Sequence, residues 1–155
     1  MATTVLETQV APEWVDYNGH MNDAEYARVF SLAVDAFWET IGLDGPARQH
    51  FGVTTFTLEA HLCYLGQTYE HDPLTVTLDI LDRDAKRFHL FFGLYRDDGA
   101  LAATSEQMLM AIDPAAGRAT AFPEPVVAAA EAACGQLDRS AWPEQAGRTI
   151  GIRRR

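Results

Sequence analysis

The residues best equipped for chemistry lie together in the stretch Val15-Asp16-Tyr17-Asn18-Gly19-His20-Met21-Asn22. It sets a carboxylate (Asp16), an amide (Asn18) and an imidazole (His20) on alternate positions, just before an expected helix over Asn22 to Ile41. A helix start carries backbone N–H groups with no partner inside the helix, and these suit negative charge developing on an oxygen. A carboxylate beside them can attack a carbonyl carbon or take a proton from water. Asp16 is the candidate for that work; the alternative is an aspartate that only shapes the turn. Asn18 can orient water or a carbonyl, or cap the turn. His20 can hydrogen-bond the carboxylate or a substrate, or pin the loop. The amides around Asn22, Asp23 and Ala24 are the candidate oxyanion donors.

The elements that position this stretch follow from residue spacing. Asn22 reads as an N-cap, Glu25 as its capping-box partner, and Asp23 adds acidity to the first turn. Tyr26, Val29, Phe30, Ala33, Val34, Phe37, Trp38 and Ile41 make a broad apolar stripe, and Gly42 is the expected stop. Tyr26 reads as core. Thr3 to Val10 is a first strand ended by Pro12, and Leu43 to Gly52 is a loop with Gly45-Pro46 as breaker. Beyond the loop the period becomes two. Phe56, Leu58, Ala60, Leu62 and Tyr64 form one apolar strand face; Leu74 to Ile80, Phe88 to Tyr95 and Leu101 to Ile112 follow. Short turns, including Asp97-Asp98-Gly99, imply an antiparallel meander of these four strands. Val126 to Cys134 is alanine-rich and helical, and the rest reads as irregular. An antiparallel sheet of about five strands can wrap a helix of this length, giving an α+β class. Its open edges favour self-association as a dimer or dimer of dimers.

A chain of 155 residues reads as a single domain, with a core at about 4–122 and a helix and tail at 123–155. A net charge of -10 argues against a nucleic-acid partner, because phosphate backbones need a basic surface. Two cysteines, Cys63 and Cys134, make neither a disulfide framework nor a metal-ligand spacing. No apolar run approaches a membrane span, and the first residues do not read as a secretion signal. A cytoplasmic protein with no membrane partner is the expectation. No G-x-S-x-G, H-E-x-x-H, phosphate-binding lysine loop or dinucleotide fingerprint is present, so no metal and no cofactor are expected.

The first strand, Asp16, Asn18, His20, Asn22 and Tyr26 in D-x-N-x-H-x-N-x3-Y spacing, the long helix and the four strands together resemble the hotdog-fold thioesterases of the 4-hydroxybenzoyl-CoA thioesterase group. The likeness runs from about Val5 to Pro123; many members have asparagine where this chain has Asp23. Lys86-Arg87-Phe88-His89-Leu90-Phe91, Glu106-Gln107-Met108-Leu109 and Gly117-Arg118-Ala119 are similar to the branch tied to carnitine and betaine degradation. That branch includes betainyl-CoA thioesterases and thioesterase domains fused to L-carnitine dehydrogenases. The resemblance implies hydrolysis of a small acyl-CoA, with betainyl-CoA giving betaine and CoA as the specific expectation.

It also gives roles to other residues. A trimethylammonium group is held by aromatic faces, making Trp14, Tyr17, Trp38 and Tyr64 candidates, with His61 as a further substrate contact. Arg83, Lys86, Arg87 and Arg118 are candidates for the CoA phosphates, against the plainer reading of surface charge. Glu59, His61 and Glu106 lie on the less apolar faces of their strands, where solvent is the default. Two rival functions remain: hydration or dehydration of an acyl thioester on the same fold, and a non-catalytic binding module for acyl-CoA or a quaternary ammonium.

Overall fold

Alternating polarity builds the sheet and helical spacing builds one long helix, so the chain separates into two layers early. β1 (Thr3–Gln9) leads through a 3-10 turn at Pro12–Trp14 into α1 (Asp23–Thr40). Then come α2 (Gly45–Phe51), β2 (Thr54–Tyr64), β3 (Pro73–Arg83), β4 (Arg87–Arg96), β5 (Leu101–Asp113) and the two-residue β6 (Arg118–Ala119). α3 (Glu124–Ala133) and an extended tail follow; the computed structural model describes residues 2–154. Asn22 and Ile41 are the caps of α1, and Gly42 takes the left-handed conformation (φ 85°) that ends it.

The strand order is β1-β3-β4-β5-β2, antiparallel throughout, with β6 on the end of β5. The expected four-strand meander is therefore only partly right. β3, β4 and β5 are sequential neighbours, but β2 crosses to the far edge beside β5, and β1 takes the place next to β3. Alternation specifies a strand and its buried face, not its partner. The connection between β2 and β3 has to pass the start of α1, which brings a loop against the candidate site.

Two other expectations are corrected. The segment read as a loop contains α2, because Pro46 sits in the first turn, where no N–H is needed, and Asp44 caps it at the Ala47 amide. The single apolar face of β2 is broken by a bulge around Leu58. Phe56 pairs with Met110 on the convex face, whereas Ala60, Leu62 and Tyr64 lie opposite Gln107, Ser105 and Ala103 on the concave face toward α1. Phe56 and Leu58 stay exposed (57% and 45%).

The core lies between α1 and the concave face. Val29, Phe30, Ala33, Phe37, Trp38 and Ile41 are buried against Leu74, Val76, Leu78, Leu90, Phe92 and Leu94. An aromatic cluster of Phe37, Trp38, Phe88 and Phe122 closes the C-terminal end of α1. One long helix is thus sheathed by a curled antiparallel sheet, the hotdog arrangement expected from the sequence.

The tail crosses the convex face strand by strand. Leu137 donates its amide to the Ile80 carbonyl on β3, and Trp142 meets the His89 ring of β4 edge-on at 5.3 Å. The Gly147 amide donates to Glu106 Oε1 on β5 (2.8 Å), and Arg148 lies beside Glu59 and His61 of β2.

Candidate active site

The chain turns back on itself between the 3-10 turn and α1. Val15 and Met21 pair as an isolated bridge, Gly19 sits at φ 80°, and the Asp16 amide donates to the His20 carbonyl at 2.9 Å. Asp16 Oδ1 accepts the amides of Asn18 (2.8 Å) and His20 (3.3 Å). The residue is therefore a turn-forming aspartate, as the plainer reading had it. Its second oxygen, Oδ2, accepts from no group among the described residues, so the turn fixes the carboxylate without using it up. Asn18 is exposed, with no side-chain hydrogen bond among the described residues. His20 contributes its backbone to the turn, and its ring packs edge-on against Tyr69 at 5.0 Å.

The β2–β3 connection completes this corner. The Met21 amide donates to the Thr68 carbonyl (2.8 Å), His20 bridges Tyr69, and the buried Tyr26 hydroxyl meets Gly66 O (3.3 Å) and Thr68 Oγ1 (3.2 Å). Tyr26 is core, as expected, but core that ties the helix to the loop. Thr68 and Tyr69 had no signal in the sequence, since they arrive from a connection whose path the strand order decides.

At the helix start the cap differs from the expected box. Asn22 Oδ1 accepts the Ala24 amide (3.2 Å), and Asp23 Oδ1 accepts the same amide at 2.8 Å. Glu25 turns instead to Arg28, one turn along. The Asn22 amide is taken by the Trp14 carbonyl (2.9 Å) and the Glu25 amide by the Asn22 carbonyl (2.9 Å). Of the three proposed oxyanion amides, Asn22 and Ala24 are satisfied, and Asp23 alone has no acceptor among the described residues.

Tyr64, at the end of β2, donates to the Asp23 carbonyl (3.2 Å) and meets the Tyr26 ring edge-on at 5.3 Å. Partial burial, with the Asp23 carboxylate and Tyr26 nearby, raises its phenol above the ordinary value. Behind Tyr64 a cleft of about 250 Å³ runs between α1 and the concave face, lined by Ala27, Ser31, Ala60, Leu62, Ser105 and Gln107. Its floor is polar: Gln107 donates to Ser105 Oγ at 3.0 Å, and both side chains are buried.

The other aromatic candidates scatter. Trp14 packs partly buried against the core near the turn, while Tyr17 is 96% exposed beside Asp16. Trp38 lies four turns along α1 in the aromatic cluster, away from Asp16 of the same chain, although it reaches the far end of the cleft. His61 lies on the convex face opposite Glu106, not on the concave face with Tyr64.

The basic candidates also divide. Arg83 is paired with Glu131, and Arg87 donates Nε to Asp84 Oδ2 at 2.8 Å. Lys86 and Arg118, without ion-pair partners among the described residues, line one depression with Asp113. It adjoins Phe122, and so sits at the C-terminal end of α1, roughly 27 Å from the helix start for 18 residues. One pair went unpredicted: His89 Nε2 and Glu106 Oε2 are 2.6 Å apart on the convex face. Both belong to segments singled out above, but their separation of 17 positions hid the contact. Among the described residues no three His, Cys, Asp or Glu side chains converge as metal ligands, and no helix is long and apolar enough to cross a membrane.

The chain and its fold are similar to known proteins. The chain is 42% identical to a betainyl-CoA thioesterase of Pseudomonas aeruginosa, over 96% of this chain and 94% of that one. It is 36% identical to an L-carnitine dehydrogenase/betainyl-CoA thioesterase of a Rhizobium species, covering 97% of this chain but only 30% of that longer protein. A Staphylococcus aureus protein solved in complex with CoA superposes with a TM-score of 0.88 at 39% identity, covering 99% of this chain and 96% of that one. The profile of the thioesterase-like superfamily matches residues 10–130. A carboxylate fixed beside an open helix amide, on this fold and with these relatives, places the chain in the thioesterase-like superfamily.

Proposed function

We propose that the chain hydrolyses betainyl-CoA to betaine and CoA, with Asp16 as the reacting carboxylate. The observation that carries the reading is Asp16 itself: Oδ1 is locked by two amides, Oδ2 is open, and the free Asp23 amide stands at the adjoining helix start. The full-length likeness to a betainyl-CoA thioesterase supports the substrate. Water adds to the thioester carbonyl, the carbonyl oxygen takes on charge against the Asp23 amide, and the C–S bond breaks to release CoA. Asp16 either removes the proton of that water or attacks the carbon itself, forming an anhydride that water then opens. A single turnover in heavy-oxygen water establishes direct attack if the label appears in Asp16, because water then opened the anhydride at the aspartyl carbon; label only in betaine fits base catalysis or opening at the acyl carbon. Asn18 and His20 hold the turn and line the approach. The acyl group enters the cleft behind Tyr64, whose ring beside the acidic first turn suits a trimethylammonium group.

The reaction requires neither a metal nor an organic cofactor, so dialysis against a chelator leaves turnover unchanged. The setting is cytoplasmic, with Cys63 and Cys134 as free thiols. The active unit is a homodimer. β2 is a free edge strand, and pairing two β2 edges about a two-fold axis sets the α1 helices side by side and antiparallel. Each Asp16 then faces the other copy's helix end, where Lys86 and Arg118 meet the CoA phosphates. CoA release, read with a thiol reagent, tests the substrate. Betainyl-CoA is expected to turn over at least tenfold faster than acetyl-CoA or the uncharged isostere 3,3-dimethylbutanoyl-CoA. Equal rates would remove the cation from the reading.

A further inference from the structure

The tail reaches the free edge of the sheet with apolar residues still uncovered. After passing β3, β4 and β5, it arrives at Glu59 and His61 of β2 with Arg148, and six further described residues, 149–154, remain. Ile150 and Ile152 are 86% and 78% exposed, on alternate positions of an irregular segment. Among the described residues the one hydrogen bond of this arm is internal, from Arg153 Nη2 to the Thr149 carbonyl at 3.3 Å. On the same edge, Phe56 and Leu58 are exposed beside Glu59, the single acid of β2.

We infer that residues 149–154 form an arm that crosses the two-fold axis and docks on the convex face of a second copy, at its Phe56, Leu58 and Glu59. The inference rests on the β2 edge pairing proposed above. Six extended residues span about 20 Å, and strands lie about 4.8 Å apart, so the arm reaches well past a paired edge. A strand alternates its faces, so Ile150 and Ile152 present apolar surface together, matching Phe56 and Leu58. Arg153 and Arg154 bring positive charge to a patch whose one carboxylate is Glu59, on a chain of net charge -10. The exchange is reciprocal, so one patch and one arm from each copy are covered together.

Sedimentation of the full chain over a dilution series gives the dimer Kd. Ile150→Asp with Ile152→Asp is expected to raise it at least tenfold, while circular dichroism stays unchanged. In a Cys63→Ser background, a copy carrying Ile152→Cys and a differently tagged copy carrying Phe56→Cys are expected to join through a short thiol cross-linker. An unchanged Kd with no link between copies overturns the arm and leaves the edge pairing standing. A monomeric full chain overturns both. A link confined to one copy in the double-cysteine chain overturns the exchange. Arg153→Ala with Arg154→Ala that weakens CoA binding but leaves Kd fixed assigns the arm to ligand instead, and also overturns it.

Discussion

At Asp16 the turn uses one carboxylate oxygen, Oδ1, and leaves Oδ2 without a partner among the described residues. Because Asn keeps an oxygen that can accept the Asn18 and His20 amides, Asp16→Asn should fold normally and lose its chemistry. Turnover should fall by about 10²–10⁴-fold, the range for loss of a positioned base, while CoA binding measured by calorimetry persists. Wild-type turnover in this variant would exclude Asp16 from the reaction. Asp84 offers a separate test at the β3–β4 turn. The Arg87 side chain, then the Lys86 amide, hold its carboxyl down at about 2 from an ordinary 3.8. A lowered carboxyl stabilises the fold above the ordinary value, and that contribution fades as pH falls from 3.8 toward 2. The pair is exposed, so Asp84→Asn should cost under about 1 kcal/mol at pH 7 and progressively less as pH falls toward 2, as read by urea unfolding across that range.

At the scale of elements, the start of α1 is doubly capped, by Asn22 and Asp23 on one amide. Asn22→Ala or Asp23→Ala alone should cost only about 0.5 kcal/mol, the low end for a cap, because each leaves the other in place. Thermal unfolding of the double variant should show a loss larger than the sum. The boundaries of α1 were legible from the stripe and from Asn22 and Gly42, and the β3, β4 and β5 strands from their alternation. The reciprocal Glu25 box was not, because Arg28 competes for that carboxylate one turn along. Nor was the place of β2 beside β5, since polarity does not name a partner, nor the Leu58 bulge, which a run of apolar residues conceals. α2 was hidden by reading Gly45-Pro46 as an ending when it is a beginning. The turn at Asp16 was legible because its partners are local; the packing of Thr68 and Tyr69 against it was not, because they come from the other end of a crossing loop.

At the scale of the whole molecule, the Asp16 turn lies at one end of α1, and Lys86 and Arg118, without ion-pair partners among the described residues, lie at the other. The proposed reaction needs both on one acyl-CoA, which two antiparallel copies would supply, so light scattering at micromolar concentration should report two chains, about twice 17.1 kDa. Lys86→Ala with Arg118→Ala should raise KM about tenfold or more with kcat little changed, as expected for contacts equal in ground and transition states.

The line taken by the tail bears on larger assemblies. Bare sheets stack face to face at about 10 Å, side chain into side chain. Here much of that outer surface, over β3, β4 and β5, is already roofed by the tail, with Trp142 and Gly147 seated on His89 and Glu106. Back-to-back nesting on those strands is therefore blocked; any tetramer has to be cemented through this roof, through the bare end of β2, or built from the helical side.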